Sequence, residues 1–366
     1  MSEAVTGKQR ILNAMERKPL DRIPVFESFW LDTINSWQNQ NILAKDELPM
    51  EHFDFDLFVK SPLNMTADIN ANEKIVEENE TQKLVRTGNG ALLRYWKNKC
   101  GTPEHIDFEV KNRSGWESQI RPLLKDKSLY EKRIDADGLY YKLQKKARQK
   151  DKFLCCGGLG VFECIHPVCG HEFLLMGMAL DPEWIKDMCD VYSLLIIDLC
   201  EILFAKYGRP DGIWFYEDMG FKQKPFMSPK MYKAIIWPYH KRLIDWAHSY
   251  NMKVIMHSCG YIEPLIPALI EAGLDCLQAM EVKAGMDVIK LKKEYGQKLT
   301  LFGGLDIRVL ETNNKDAIGE YLKSMIPDLK KNYGYILHTD HSIPDTVDYD
   351  TYRYFMLKGI ELGSYN

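Results

Sequence analysis

Short apolar runs alternate with amphipathic helical stretches through the second half of this chain, and no other feature constrains its fold as much. The runs are 153–156, 212–216, 253–256, 276–280, 299–302 and 335–338. Between and after them, helical spacing covers 168–206 (broken near Asp181-Pro182), 228–250, 263–272, 286–295, 316–331 and 349–361. Ser228 followed by Pro229 is a helix-start signal, and Gly273 and Gly296 close two helices. Upstream, 5–18 reads as an amphipathic helix with Ile11, Leu12 and Met15 on one face, leading to apolar strands at 23–26 and 53–59. Strands recurring about every 20 to 40 residues with helices between them imply parallel pairing through right-handed crossovers.

A doubly wound sheet would alternate in the same way. However, no Gly-x-Gly-x-x-Gly follows an early strand, so the dinucleotide fingerprint is missing. Polar residues instead follow one strand after another: Glu217 and Asp218, His257 and Cys259, Asp306, then Asp340 and His341. In a closed barrel all of these strand ends meet at one mouth. The expected fold is therefore α/β, a (β/α)8 TIM barrel forming one domain over 1–366. Residues 70–150 are its less regular part, an N-terminal β-hairpin and helical elaboration. There, 83–95 and 105–110 alternate like hairpin strands, and 112–150 is charged with helical spacing after Pro122.

Composition excludes several classes. A chain of 366 residues with 45% hydrophobic side chains buries a large core, and a net charge of -4 with interleaved signs is not that of a nucleic-acid binder. Nine cysteines without a zinc-finger spacing, several of them in apolar runs, fit a reduced cytoplasmic protein better than a disulfide scaffold. The start of the sequence has no signal-peptide core, and no apolar run approaches the roughly 20 residues of a membrane span.

His257-Ser258-Cys259 is the sharpest local feature. Residues two apart at a strand end face the same way, and imidazole and thiolate are both zinc ligands; a buried histidine beside an inert core cysteine is the bland reading. Glu217 and Asp218 end the preceding strand and could ligate a metal, take a proton or hold a cation, or else cap a helix. Tyr216, just before them, joins the substrate-contact candidates. Asp340 and His341 follow the last strand, and Asp306 follows Gly303-Gly304, with helix capping as its alternative. His338, inside its strand, reads as a packed side chain. His166 and His171 lie among Cys164 and Cys169; Pro167 and the irregular spacing argue against a second metal site, and His166 stays a substrate-contact candidate.

Residues 256–310 (MHSCGYIEPLIPALIEAGLDCLQAMEVKAGMDVIKLKKEYGQKLTLFGGLDIRVL) resemble the uroporphyrinogen decarboxylase-like superfamily. So do 215–243 (FYEDMGFKQKPFMSPKMYKAIIWPYHKRL), 334–352 (GYILHTDHSIPDTVDYDTY) and the opening RILNAMERKPLDRIPV. The resemblance implies a (β/α)8 barrel and one of two activities: cofactor-free decarboxylation, or zinc-dependent methyl transfer to or from a cobamide on a separate corrinoid protein. Where the decarboxylases carry an arginine-rich stretch, this chain has Glu27-Ser28-Phe29-Trp30, so carboxylate groups lack their bidentate clamp. The resemblance matches the key family aspartate to Asp56.

The pattern is closest to the methyltransferase branch, whose His-x-Cys matches His257 and Cys259. The branch's later cysteine looks replaced by His341. The resemblance thus implies Zn2+ held by His257 and Cys259, with Glu217 and His341 as completing ligands and catalytic groups. Asp56, His166, Tyr216, Asp218, Asp306 and Asp340 would contact the substrate. The implied partners are a corrinoid-binding protein carrying the cobamide or methylcobalamin and a small-molecule methyl donor or acceptor, such as tetrahydrofolate, a thiol, or a methoxy or methylamine compound. A homodimer stays open as the assembly. Two alternatives stand beside this: a cofactor-free decarboxylase working through Asp56 and His341, and a non-catalytic corrinoid- or tetrapyrrole-binding protein.

Overall fold

A computed structural model describes residues 5–98 and 102–365 of the chain; the ends of the expected 1–366 domain and residues 99–101 of the elaboration lie outside them. Seven parallel strands form one sheet in the order Leu57–Lys60, Phe153–Leu159, Gly212–Tyr216, Lys253–Ser258, Cys276–Ala279, Thr300–Gly303 and Tyr335–Ile336. The segment 23–26 closes it. Leu337 N donates to Pro24 O (2.9 Å) and Phe26 N to Leu337 O (3.3 Å) on one side, while Asp56 N donates to Val25 O (3.0 Å) on the other. The seven strands plus this segment make the eight staves of a barrel, with the helices outside, as the alternating pattern predicts.

The barrel interior is packed with rings. Phe26, Trp214 and Phe302 sit 5.2–6.0 Å apart between centroids. Burying each such side chain stabilises the fold by roughly 1.5–3 kcal/mol. The interior is therefore core, and chemistry is confined to the mouth, where the strand ends open out.

Helix starts follow their caps. Ser228 Oγ accepts from Met231 N (3.2 Å) ahead of Pro229–Ile235, and Asp181 caps Pro182–Tyr207 with Pro182 at the first position. Gly273 ends Ile266–Ala272 at φ 99°, a conformation that disfavours any residue with a Cβ.

Two boundaries depart from expectation. The strand expected at 53–59 begins only at Leu57, because Pro49–His52 is helical and Asp54 turns the chain at φ 51°. The helix expected at 168 begins at Val161, and its long axis breaks at Gly170 (φ 71°). The early start has a tertiary cause: the Glu217 carboxylate from the neighbouring strand accepts the amides of Phe162 (3.1 Å) and Glu163 (2.8 Å). A cap supplied from 55 residues away leaves no trace in the local sequence.

The elaboration is an insertion between the second and third staves. It consists of a four-stranded antiparallel sheet, Lys74–Glu78, Gln82–Arg86, Ala91–Trp96 and Glu104–Phe108, followed by helical turns to Gln149. Buried Arg133 fastens it by donating to Asn64 O (3.1 Å) and Ala67 O (2.8 Å). On the mouth side, Phe108 packs so closely on Gly170 that a Cβ there would lie 2.4 Å from the ring. No helix among the described residues is long and apolar enough to cross a membrane. The eight cysteines described are all free.

Candidate functional site

The strand Lys253–Ser258 delivers His257 to the mouth, and the turn after it delivers Cys259. That turn needs glycine: Gly260 has φ 76°, and a Cβ on it would sit 2.3 Å from Gly220 C. Cys259 Sγ lies 3.2 Å from His257 Nε2. Asp218, one residue beyond Glu217, completes the group. Its Oδ1 lies 3.3 Å from His257 Nε2 and accepts from Cys259 N at 2.8 Å. One ligand atom from each of Asp218, His257 and Cys259 falls within 4.8 Å of the others, the one such trio among the described residues.

The electrostatics are those of groups sharing protons at close range. Burial opposes a charge on His257, yet the Cys259 sulfur and the Asp218 carboxylate outweigh it and raise its pKa well above the ordinary imidazole value. Burial alone would raise Asp218, but its hydrogen bond to His257 prevails and holds it low. Burial pushes the Cys259 thiol up, with His257 opposing. A divalent cation would displace the protons on His257 Nε2 and Cys259 and satisfy all three donors at once.

Behind the trio runs a buried relay. His257 Nδ1 donates to Gln278 Oε1, which leaves Nε2 facing Cys259 and Asp218. The Gln278 amide reaches His338 Nε2 at 3.4 Å, and Glu27 Oε1 lies 2.9 Å from the same nitrogen. Both His338 and Glu27 are about 1% exposed at the side chain. Glu27 also accepts from Thr339 N (3.0 Å) and Oγ1 (3.1 Å). The acidic residue standing where a carboxylate-binding arginine was sought is thus committed to the barrel's own wiring. The sequence pattern missed Gln278 and Glu27 and assigned His338 to packing. Their signal was a single polar residue near the end of each apolar strand.

The structure gathers some candidates and separates others. Tyr216 lies edge-on to His257 at 6.0 Å between ring centroids, its hydroxyl raised to about 12 by burial despite a bond to Ser61. His166 lies on the adjoining helix and interacts electrostatically with Asp218. Glu217, expected as ligand and acid–base group, faces the other way. It is fully buried, caps Val161–Leu180 and lies 2.6 Å from His240 Nε2, because successive side chains of a strand point to opposite faces.

His341, expected as ligand and catalytic group, sits on the rim, 5.7 Å from the Trp30 ring and outside the trio. Asp340 is consumed by the amides of Val282 (2.8 Å) and Ile307 (2.9 Å). Asp306 caps Ile307–Glu311 and pairs with Arg308 at 2.7 Å, the capping alternative. Asp56 precedes its strand, so it lies at the floor of the barrel, opposite the mouth. There it binds Arg10 (3.0 Å), Arg22 (2.7 Å) and Val25 N (2.8 Å). Neither Asp306, Asp340 nor Asp56 is placed to meet a substrate at the trio.

Comparison with known proteins agrees with this architecture. A methyltransferase from Methanosarcina mazei has the same fold, with a TM-score of 0.69 over 98% of this chain and 99% of that one, at 15% sequence identity. No curated protein is significantly similar in sequence. The uroporphyrinogen decarboxylase (URO-D) profile matches residues 161–358, more than half of the chain and all of the trio. The chain belongs to the uroporphyrinogen decarboxylase (URO-D) family.

Proposed function

We propose that the protein is a methyltransferase that moves a methyl group between a small molecule and a cobamide carried by a partner corrinoid protein. The observation that carries this reading is the convergence of Asp218, His257 and Cys259 at the barrel mouth. One carboxylate, one imidazole and one thiol are a donor set that suits zinc, and three protein ligands leave a fourth position open. Zinc held there would supply Lewis acidity toward the methyl-bearing or methyl-accepting atom.

The chain's own residues prepare that position. Gln278 fixes the tautomer of His257, the Cys259 amide holds Asp218 in register, and the Tyr216 ring covers one flank of the imidazole. The fold relative's description as a methyltransferase supports the same class of reaction. Cofactor-free decarboxylation draws no such support, because Asp56 and His341 lie at opposite ends of the barrel.

The test is metal analysis together with methyl transfer. Purified protein should hold about one zinc per chain, and free methylcobalamin should be demethylated in the presence of an acceptor or formed from cob(I)alamin and a donor. A protein without zinc that is silent in both directions would overturn the reading.

A further inference from the structure

Between Asp218 and Asp245 the sequence holds no acidic residue but six lysines and arginines, in a chain whose net charge is -4. Three of the six are neutralised on the outer helices, where Lys233 pairs with Glu271, Lys241 with Asp245 and Arg242 with Asp190. The other three, Lys222, Lys224 and Lys230, are exposed. Among the described residues none of these three has an ion-pair or hydrogen-bond partner. Lys230 stands at the start of Pro229–Ile235, the mouth end of that helix.

The fold sets these cations beside the trio. Gly220–Phe221 and Lys224–Pro225 form a short antiparallel hairpin on the rim, with Lys222 and Gln223 at its tip. It springs from the cysteine turn itself, since a Cβ on Gly220 would lie 2.4 Å from Cys259 O. Phe221 O accepts from Tyr261 N (2.9 Å) and Gln223 N donates to Ala284 O (3.2 Å), so two loops hold the hairpin in place. Phe221 and Lys224 are paired directly across it, which puts their side chains on one face. The Phe221 ring rests 5.6 Å from that of Phe226, yet the residue leaves 51% of its surface in solvent. Carboxylates on the adjoining loops do not offset the lysines, because Glu281 is paired with Lys283 and Glu263 with Lys290. Beyond the trio the rim thus presents an open aromatic ring and then uncompensated positive charge.

We propose that this strip of the rim is the tail subsite for the small molecule, and that the small molecule is a folate. Its reduced pterin would bring the methyl-carrying nitrogen to the trio, its aminobenzoyl ring would lie on Phe221, and Lys222, Lys224 and Lys230 would hold its glutamate carboxylates. The proposal rests on the methyltransferase reading and names its substrate class. A simple thiol, methoxy compound or methylamine has no polyanionic tail to use such a strip. In transfer toward the folate, the methyl–cobalt bond breaks with its electron pair left on cobalt, the nitrogen–carbon bond forms, and the proton of that nitrogen is released to water. Lysine ammonium groups act as exposed point charges, so each tail carboxylate adds a modest increment that salt screens.

The test is equilibrium binding to the full-length chain, by calorimetry, of three probes: 5-methyltetrahydrofolate with one glutamate, the same compound with three, and tail-less 6-methyltetrahydropterin. The triglutamate should bind about three- to tenfold more tightly than the monoglutamate, and the pterin most weakly. That advantage should vanish in about 1 M salt, where the screening length falls to about 3 Å. The double variant Lys222→Ala, Lys224→Ala should bind the triglutamate no better than the monoglutamate, with its zinc content unchanged. Phe221→Ala should weaken both glutamate forms and leave the pterin unaffected. Equal affinity for one and three glutamates, or an advantage that survives in the double variant or at high salt, would overturn the proposal. Absent folate binding with zinc content and methylcobalamin reactivity intact refutes the tail subsite alone; loss of the latter two refutes the methyltransferase reading.

Discussion

His257 Nε2 and Cys259 Sγ stand 3.2 Å apart, while the other nitrogen of the same ring is held from behind by Gln278. The imidazole is thus presented with Nε2 toward a sulfur and a carboxylate. This geometry comes from a strand end, a glycine turn and one buried amide acting together.

Cys259→Ala should remove zinc and methyl transfer together, because it takes one of three donors from the trio. His341→Ala should leave zinc content unchanged, since that ring lies on the rim against Trp30. Metal analysis of both variants, with circular dichroism to establish folding, checks the pair. Zinc loss in His341→Ala would mean that the rim loop folds inward in solution.

Gln278→Leu should lower zinc affinity by about 10- to 100-fold while all three donors stay in place, the usual cost of losing an outer-shell partner. Competition with a chromogenic chelator measures this directly. An affinity equal to that of the wild type would show that the amide only fills space.

Glu217→Gln should destabilise the protein by about 1–3 kcal/mol without lowering zinc stoichiometry. Its carboxylate accepts two helix amides and lies against His240, and the amide side chain cannot satisfy all of them, so a buried donor is orphaned. Denaturant unfolding and metal analysis on the same sample separate this from a role as ligand, in which zinc would be lost first.

Lys292 gives a pH dependence with a defined sign. Burial holds it down to about 8, with Arg17 adding repulsion, while Nζ donates to Tyr333 O and Gly334 O. In the unfolded chain it titrates at about 10.4. Between those values the unfolded state binds the extra proton, so this group's contribution to stability rises with pH from about 8 to about 10.4. Its cost is fully present below 8. Lys292→Met should remove that rise, as seen by subtracting its unfolding free energies from those of the wild type across that range. Parallel pH curves for the two proteins would refute it.

Much of the fold was legible because each stave carries its own signal. The runs at 212–216, 253–256, 276–280 and 299–302 are apolar, bounded by turns and joined by helices with local caps such as Ser228 and Gly273. His257 and Cys259 were legible for the same reason, since two residues at one strand end share a direction. What failed was the step from residue type to partner. Glu217 and Asp218 are neighbours of the same charge, and only which face of the strand looks into the barrel mouth decides which one meets His257. Asp56 resembled a site residue but precedes its strand, which places it on the floor with Arg10 and Arg22.

The sequence by itself determined the alternation of strand and helix, and with it a parallel barrel whose strand ends share one mouth, because hydrophobic periodicity and turn chemistry act over a few residues. Only the tertiary structure decided that Asp218 and not Glu217 joins the trio, that Glu27, His338 and Gln278 stand behind it, and that His105 crosses from the inserted sheet to meet His166. Those relations join residues 20 to more than 300 positions apart. Their distances are set by how eight staves close and how a kinked helix packs, which no local pattern encodes.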